Sequence, residues 1–328
     1  MLRFVVRRIL LMLPTVFAIS VISFAIIKAP PGDFVDSYVA ALRNRGQQVD
    51  PAFVESLRSA YGLRQPVYVQ YAKWISRLVQ GDLGRSLQWQ RPVTGLLVER
   101  LPWSITVSMF AYVFIWLIGL PIGIMSATHQ YSVRDYVATL LGFIGLATPA
   151  FLIALILLYL NFVYTGNVAL GLFSPYYQTA PWSPAKVVDL LSHLWIPALV
   201  VGLSGTAGMI RVLRANLLDE LSKPYVMYAR SKGLSERKLL YKYPLRIALN
   251  PVISTVGWTL PDLVNGELLV SMVLGLPTVA PIFLNALMNE DMYLAGSVVF
   301  VLSVLTVIGT LLSDILLAWL DPRIREAV

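Results

Sequence analysis

Long apolar runs separated by short polar segments dominate this chain. Residues 9–27, 103–125, 137–163, 194–210, 252–276 and 294–320 are each mainly apolar, and each reaches the length an α-helix needs to cross a bilayer, about 17–25 residues. Six such runs predict an all-α membrane protein with six transmembrane helices. Pro121, Pro149, Pro197 and Pro261 fall inside them. Proline would break a long helix in water, but neighbouring helices make it tolerable in a membrane. In the fourth run Gly202, Ser204, Gly205, Ala207 and Gly208 recur. Residues this small let helix backbones approach closely, so this span is expected inside the bundle. Arg3, Arg7 and Arg8 precede the first run, which resembles a signal peptide in outline. It is longer than a usual signal core, however, and ends in Lys28-Ala29-Pro30-Pro31 without a small-x-small cleavage site. It therefore reads as a retained helix.

The polar stretch 30–102 has its own periodicity. Asp50-Pro51 is a helix start, and Phe53, Val54, Leu57, Ala60 and Tyr61 follow at helical spacing. Residues 67–79 repeat the pattern, with Val67, Tyr71, Trp74, Ile75 and Leu78 on one side. Three parts result: residues 1–29 with the first span, a helical cap at 30–102, and a five-helix core at 103–328 that contains a long polar loop at 211–251. Basic residues orient them. With the N-terminus inside, the inner segments carry Arg3, Arg7, Arg8, Arg134, nine basic residues from Arg211 to Arg246, then Arg323 and Arg325, whereas the short outer segments carry only Lys186. The ten basic residues from Lys28 to Arg100 do not weigh against this, because segments longer than about 60 residues translocate regardless of charge. Both termini and the loop at 211–251 are thus expected in the cytoplasm, and the cap outside.

Composition narrows the classes further. Hydrophobic residues make up 57% of 328, charged residues 13%, and mean hydropathy is +0.69. A net charge of +8 is explained by basic cytoplasmic loops and does not call for nucleic acid as a partner. The chain has no cysteine, which rules out disulfides, thiolate metal sites and cysteine nucleophiles. Its two histidines, His129 and His193, flank different spans and make neither a His-rich metal site nor a Ser-His-Asp catalyst. No Gly-x-x-x-x-Gly-Lys-Ser/Thr phosphate loop occurs. Trp74, Trp89, Trp103, Trp182, Trp195 and Trp319 lie near span ends or in outer segments, as expected of an interfacial belt.

Two places carry candidate function. The first is Ala229-Arg230-Ser231-Lys232-Gly233-Leu234-Ser235. Gly233 suits a sharp turn between two short helices. Arg230, Lys232, Arg237 and Lys238 surround it, while Leu234, Leu239, Leu240 and Tyr243 supply an apolar side. Composition alone fits a loop inserted into a protein groove and a loop lying on anionic lipid equally well. The second is the fifth run, with Asp262, Asn265 and Glu267. Polar groups in a span usually face a bundle interior or a hydrated path. Asp262 and Asn265 share a helical face beside Pro261, and Glu267 lies about 140° round from Asp262. They are not a carboxylate pair for acid–base work. A translocation path is favoured for Asp262 and Asn265 over a structural hydrogen bond, and Glu267 fits either role. Asp314, late in the sixth run, reads as a cap or inter-helix contact.

The sequence resembles the first membrane subunit of the peptide/nickel-type ATP-binding-cassette (ABC) importers, the dipeptide and oligopeptide permeases. Arg7-Arg8-Ile9-Leu10 leading to Pro14-Thr15, Pro31-Gly32-Asp33, Tyr61-Gly62-Leu63, then Pro66, Tyr71 and Trp74, Gly81-Asp82-Leu83-Gly84-Arg85-Ser86, Arg91-Pro92-Val93 and Glu99-Arg100-Leu101-Pro102 occur in that family's order. Residues 229–234 resemble the Ala-Arg-Ala-Lys-Gly-Leu core of its cytoplasmic coupling loop. Two departures stand out: Met227 and Tyr228 replace the acidic residue and alanine of the general importer loop, and Leu274-Gly275-Leu276-Pro277-Thr278 replaces the usual Pro-Gly-Leu-Gly. The resemblance implies the type I importer permease fold in a bacterial or archaeal plasma membrane. It implies a second homologous permease subunit, two ATPase subunits that bind ATP and Mg, and an extracytoplasmic binding protein. The chain itself would hold no cofactor and catalyse no reaction. Peptides are the implied cargo, and the second departure keeps oligosaccharides, opines and nickel open. A self-sufficient secondary transporter would show inverted repeats, and none is evident.

Overall fold

The computed structural model describes residues 2–29, 34–44, 46–61, 64–86, 88–254 and 268–320. In order the helices are α1 (Leu2–Lys28), α2 (Phe34–Asn44), α3 (Pro51–Tyr61), α4 (Val67–Val79), α5 (Val93–Phe114), α6 (Leu120–Thr128), α7 (Val133–Ala147), α8 (Ala150–Thr165), α9 (Pro175–Thr179), α10 (Pro184–Leu221), α11 (Pro224–Ser231), α12 (Glu236–Lys242), α13 (Pro244–Ala248), α14 (Asn250–Ser254), α15 (Leu268–Val273), α16 (Val279–Met288) and α17 (Met292–Leu320). A π-helical turn, Ile115–Gly119, joins α5 to α6.

Four stretches are long and apolar enough to span a bilayer: Val5–Lys28, Val93–Thr128, Pro184–Leu221 and Met292–Trp319. The expected third span, 137–163, is not one straight helix. α7 and α8 meet at 103°, so they form one broken span or a re-entrant pair. Pro149 is the cause. The residue before a proline is pushed out of the helical region, and Thr148 has ψ 127°. The expected fifth span, 252–276, lies largely outside the described residues, which hold only α14 and α15 near its ends. The described residues thus contain four spans, or five with the bent pair. The all-helical architecture and four to five of the six expected spans are therefore present among the described residues, and the remaining expected span falls largely outside them.

The chain divides into two compact units. The first comprises Met1–Arg8, Ile105–Pro277 and Ile308–Val328 and is organised by α10, which packs against α6, α7, α8, α13, α14, α15 and the π turn. At about 57 Å, α10 far exceeds the ~30 Å hydrocarbon thickness, so it extends well beyond the expected span 194–210. Ser183 caps its start, accepting from the Lys186 backbone N–H at 3.2 Å. The small-residue stripe is only partly used for packing. A Cβ on Gly202 would lie 3.0 Å from the Ala111 carbonyl, and one on Gly205 2.5 Å from Ile115 Cδ1. Ser204 is exposed, and no atom of the described residues lies within 4 Å of where a Cβ on Gly208 would stand. Asp314 makes an inter-helix contact as expected, pairing with Arg8 of α1 at 3.2 Å.

The second unit comprises Ile9–Ser104 and Thr278–Val307. Helices α3 and α4 form where the periodicity places them, with Asp50 Oδ1 accepting from the Ala52 N–H at 2.9 Å. Helix α2 was not foreseen. Trp74 is buried with Phe24 and Ile27, and Tyr71, Ile75, Leu78, Tyr293 and Phe300 pack around it. Trp74 is therefore core and not part of an interfacial belt, and Val67 is exposed rather than on the packed side. The Gly81–Ser86 motif forms a folded loop. Ser86 N–H donates to Arg91 O (3.0 Å) and Val93 N–H to Gly84 O (3.0 Å). Buried Asp291 ties this loop to the start of α17: it accepts from Ser86 Oγ (2.5 Å), Gln88 N (3.1 Å) and Leu294 N (3.3 Å).

Candidate functional site

The loop after α10 is a helical hairpin. Pro224 stands at the first position of α11, where a missing N–H costs nothing. The chain reverses at Gly233, φ +79°, whose N–H donates to Arg230 O at 3.0 Å. Positive φ is nearly free for glycine and costly for other residues. Beyond its chain neighbours, no atom of the described residues lies within 4 Å of where a Cβ would stand on Gly233. The glycine is required by backbone conformation alone.

Two devices hold α11 to α12. Val226, Ala229 and Leu239 form a small buried core with Tyr225, Leu234 and Tyr243 packed on it. Across the outer face Arg230 makes a two-pronged ion pair with Glu236, Nε to Oε1 at 2.6 Å and Nη2 to Oε2 at 3.0 Å. The two bonds from Arg230 hold the Glu236 carboxyl below the usual carboxylate range. At the root, Tyr225 OH donates to Glu220 Oε2 at 2.6 Å. Burial first, then that bond, pushes the Tyr225 hydroxyl above its ordinary value. Buried Pro244, Leu245 and Ala248 seat α13 beside α10.

This corrects the expected apolar face. Leu239 is wholly buried, and Leu234 and Tyr243 close the hairpin's own core. The apolar groups presented outward are Met227, Tyr228 and Tyr241, each more than half exposed. Two of these are the residues at which the loop departs from the general importer motif. Lys232 Nζ lies 5.2 Å from the Tyr228 ring centroid. Helical periodicity marked the apolar positions, but which of them met each other depended on the turn at Gly233. Of the candidate residues, 229–235 are gathered in this hairpin. Asp262, Asn265 and Glu267 lie outside the described residues.

Residues 119–326 match the family described as the binding-protein-dependent transport system inner membrane component, and residues 1–109 match the N-terminal membrane component of such systems. The chain belongs to this family. It is a permease subunit of an ABC importer and a membrane protein. It is 34% identical over 323 residues to the oligopeptide transport system permease protein of Bacillus subtilis, covering 98% of this chain and 99% of that one. It is 32% identical to a putative peptide permease protein of Brucella ovis, covering 99% of each. The glutathione transport system permease protein of Escherichia coli K12 is 29% identical, again covering 99% of each. The permease's departure at 274–278 has a structural reading. Gly275, φ +62°, closes the end of α15, with Leu276 N–H donating to Ser271 O at 2.8 Å and Gly275 N–H to Met272 O at 3.3 Å. That pair of bonds is a glycine helix stop. The sequence retains the glycine that the turn requires.

Proposed function

We propose that this permease subunit moves di- and oligopeptides inward. In this reading the α11–α12 hairpin is its contact with a partner ATPase. The observation that carries the coupling role is the hairpin itself: a preorganised two-helix projection with a glycine turn, a private core and an outward Met227–Tyr228–Tyr241 face. A contact that transmits force must not collapse when pushed, and the core together with the Arg230–Glu236 pair meets that need. End-to-end similarity to proteins named as peptide permeases supports the cargo. Residues 30–102 act as an extracytoplasmic cap, both termini and the hairpin lie in the cytoplasm, and Asp262, Asn265 and Glu267 line the path between this subunit and a homologous partner. ATP and Mg are held by two ATPase subunits, and a binding protein delivers the peptide.

Two measurements test this. Single cysteines in this cysteine-free chain at Gln47 and Gln178 should label from outside, and one at Ser235 only after permeabilisation. Outside labelling at Ser235 would overturn the ATPase contact. ATP-driven uptake of a labelled peptide in vesicles carrying the assembled transporter should be competed by unlabelled peptides. Competition by oligosaccharides, opines or nickel with none by peptides would overturn the cargo.

A further inference from the structure

Between α7 and α10 lies an open cleft of about 290 Å³. Its floor is apolar, formed by Phe143, Leu146, Ala207 and Ile210, and a Cβ on Gly142 would stand 3.6 Å from that of Ala207. Its mouth is polar and basic, formed by Tyr131, Tyr136, Arg211 and Arg214. The two arginines differ. Arg214 is matched by buried Asp135, with Nε to Oδ1 at 2.8 Å and Nη2 to Oδ2 at 2.7 Å. Arg211 is exposed and has no acidic partner among the described residues. Among the described residues the cleft therefore carries one uncompensated positive charge at its mouth.

The tyrosines are placed with some care. Tyr131 adopts φ +61°, a conformation bulky residues rarely take. Its N–H donates to Asp135 Oδ2 at 3.0 Å, so the carboxylate that neutralises Arg214 also fixes the turn bearing Tyr131. The rings of Tyr131 and Tyr136 are both largely exposed. From Tyr136 to Leu146 the cleft runs about 15 Å along α7, which is the depth of one leaflet's hydrocarbon.

We propose that this cleft binds one anionic phospholipid of the cytoplasmic leaflet. The phosphate sits on Arg211 with the tyrosine hydroxyls donating to it, and an acyl chain lies over residues 142–146. Charge complementarity selects the lipid: a zwitterionic headgroup brings no net charge to Arg211, and a free anion leaves the apolar floor uncovered. The assignment rests on the cytoplasmic orientation proposed above. Labelling at Ser235 tests that orientation separately, so its failure and the failure of the lipid site can be told apart.

The assembled, detergent-solubilised transporter is titrated with phosphatidylglycerol, phosphatidylcholine or inorganic phosphate while its thermal midpoint is followed. Retained lipid is identified by native mass spectrometry. Phosphatidylglycerol alone should raise the midpoint. Arg211→Gln should weaken that response about fivefold, the effect of one basic residue at an anionic surface. Gly142→Leu, which fills the floor and leaves Arg211 in place, should abolish it. An equal response to phosphatidylcholine, or to inorganic phosphate, would overturn the proposal. So would a photo-crosslinker at Tyr136 that captures a companion subunit and no lipid, because the cleft would then be a subunit interface. Unchanged phosphatidylglycerol binding by both variants would equally refute it.

Discussion

Replacing Gly233 by Asn, Ala, Val and Pro isolates the hairpin turn from everything else in the molecule. With φ at +79° and no atom of the described residues beyond its chain neighbours within 4 Å of the site of a Cβ, the first three substitutions act through backbone strain. An L-residue held in the left-handed region costs about 1–2 kcal/mol. Asn is the mildest, because its side chain tolerates that region, and β-branched Val is the harshest. Such a cost shifts a two-state equilibrium roughly 5–30-fold. Pro is worse in kind. Its ring fixes φ near −65°, and the Gly233 N–H bond to Arg230 O at 3.0 Å is lost. The hairpin core and the Arg230–Glu236 pair should keep α11 and α12 formed, so yield and membrane insertion should not change. Peptide uptake per ATP hydrolysed, measured in reconstituted vesicles, should fall in the order Asn, Ala, Val, Pro. Wild-type coupling in a well-expressed Val or Pro variant would refute the argument. So would losses that simply follow yield, since the turn would then serve folding alone.

Gly84 offers the contrast, being also at positive φ (+87°) but closed in, with Tyr293 Cδ1 2.6 Å from where a Cβ would stand. Gly84→Ala should reduce yield and thermal stability while Gly233→Ala does not, and equal yields would contradict the packing described. Asp291→Ala removes a helix cap, worth about 1 kcal/mol, and leaves Ser86 Oγ–H and the Gln88 N–H without their acceptor, about 1–3 kcal/mol each. The thermal midpoint should drop clearly, Asp291→Asn should recover part of it, and no drop would show that the tie is idle. The Glu236 carboxyl is held low by Arg230, so its contribution is present above the ordinary glutamate range and disappears as pH falls through its lowered folded value. Coupling should therefore not vary through this pair between about pH 6 and 8, Arg230→Glu should impair it, and adding Glu236→Arg should restore it; failure of the double swap to restore coupling would refute the role of the pair. Asp262→Asn should lower uptake at unchanged complex yield, whereas lost assembly would make Asp262 structural.

Family membership and the helical class were legible in the sequence because both depend on local order. Apolar runs of bilayer length state the class, and the ordered motifs from Arg7 to Gly233 state the family. Helices α3 and α4 were legible for the same reason, a 3.6-residue period after Asp50 and Pro66. Tertiary structure decided what each local signal was for. Pro149 looked tolerable within a span, yet α7 and α8 part at 103°, because whether a neighbour absorbs a proline depends on packing. Trp74 looked like an interfacial anchor but lies in an aromatic core. In the hairpin, leucines read as an outward face turn inward onto Val226, and Met227, Tyr228 and Tyr241 remain outside. Ser86 and Asp291 are 205 positions apart, and no periodic signal pairs them. A residue's spacing limits which face it occupies, and only the folded chain determines what that face meets.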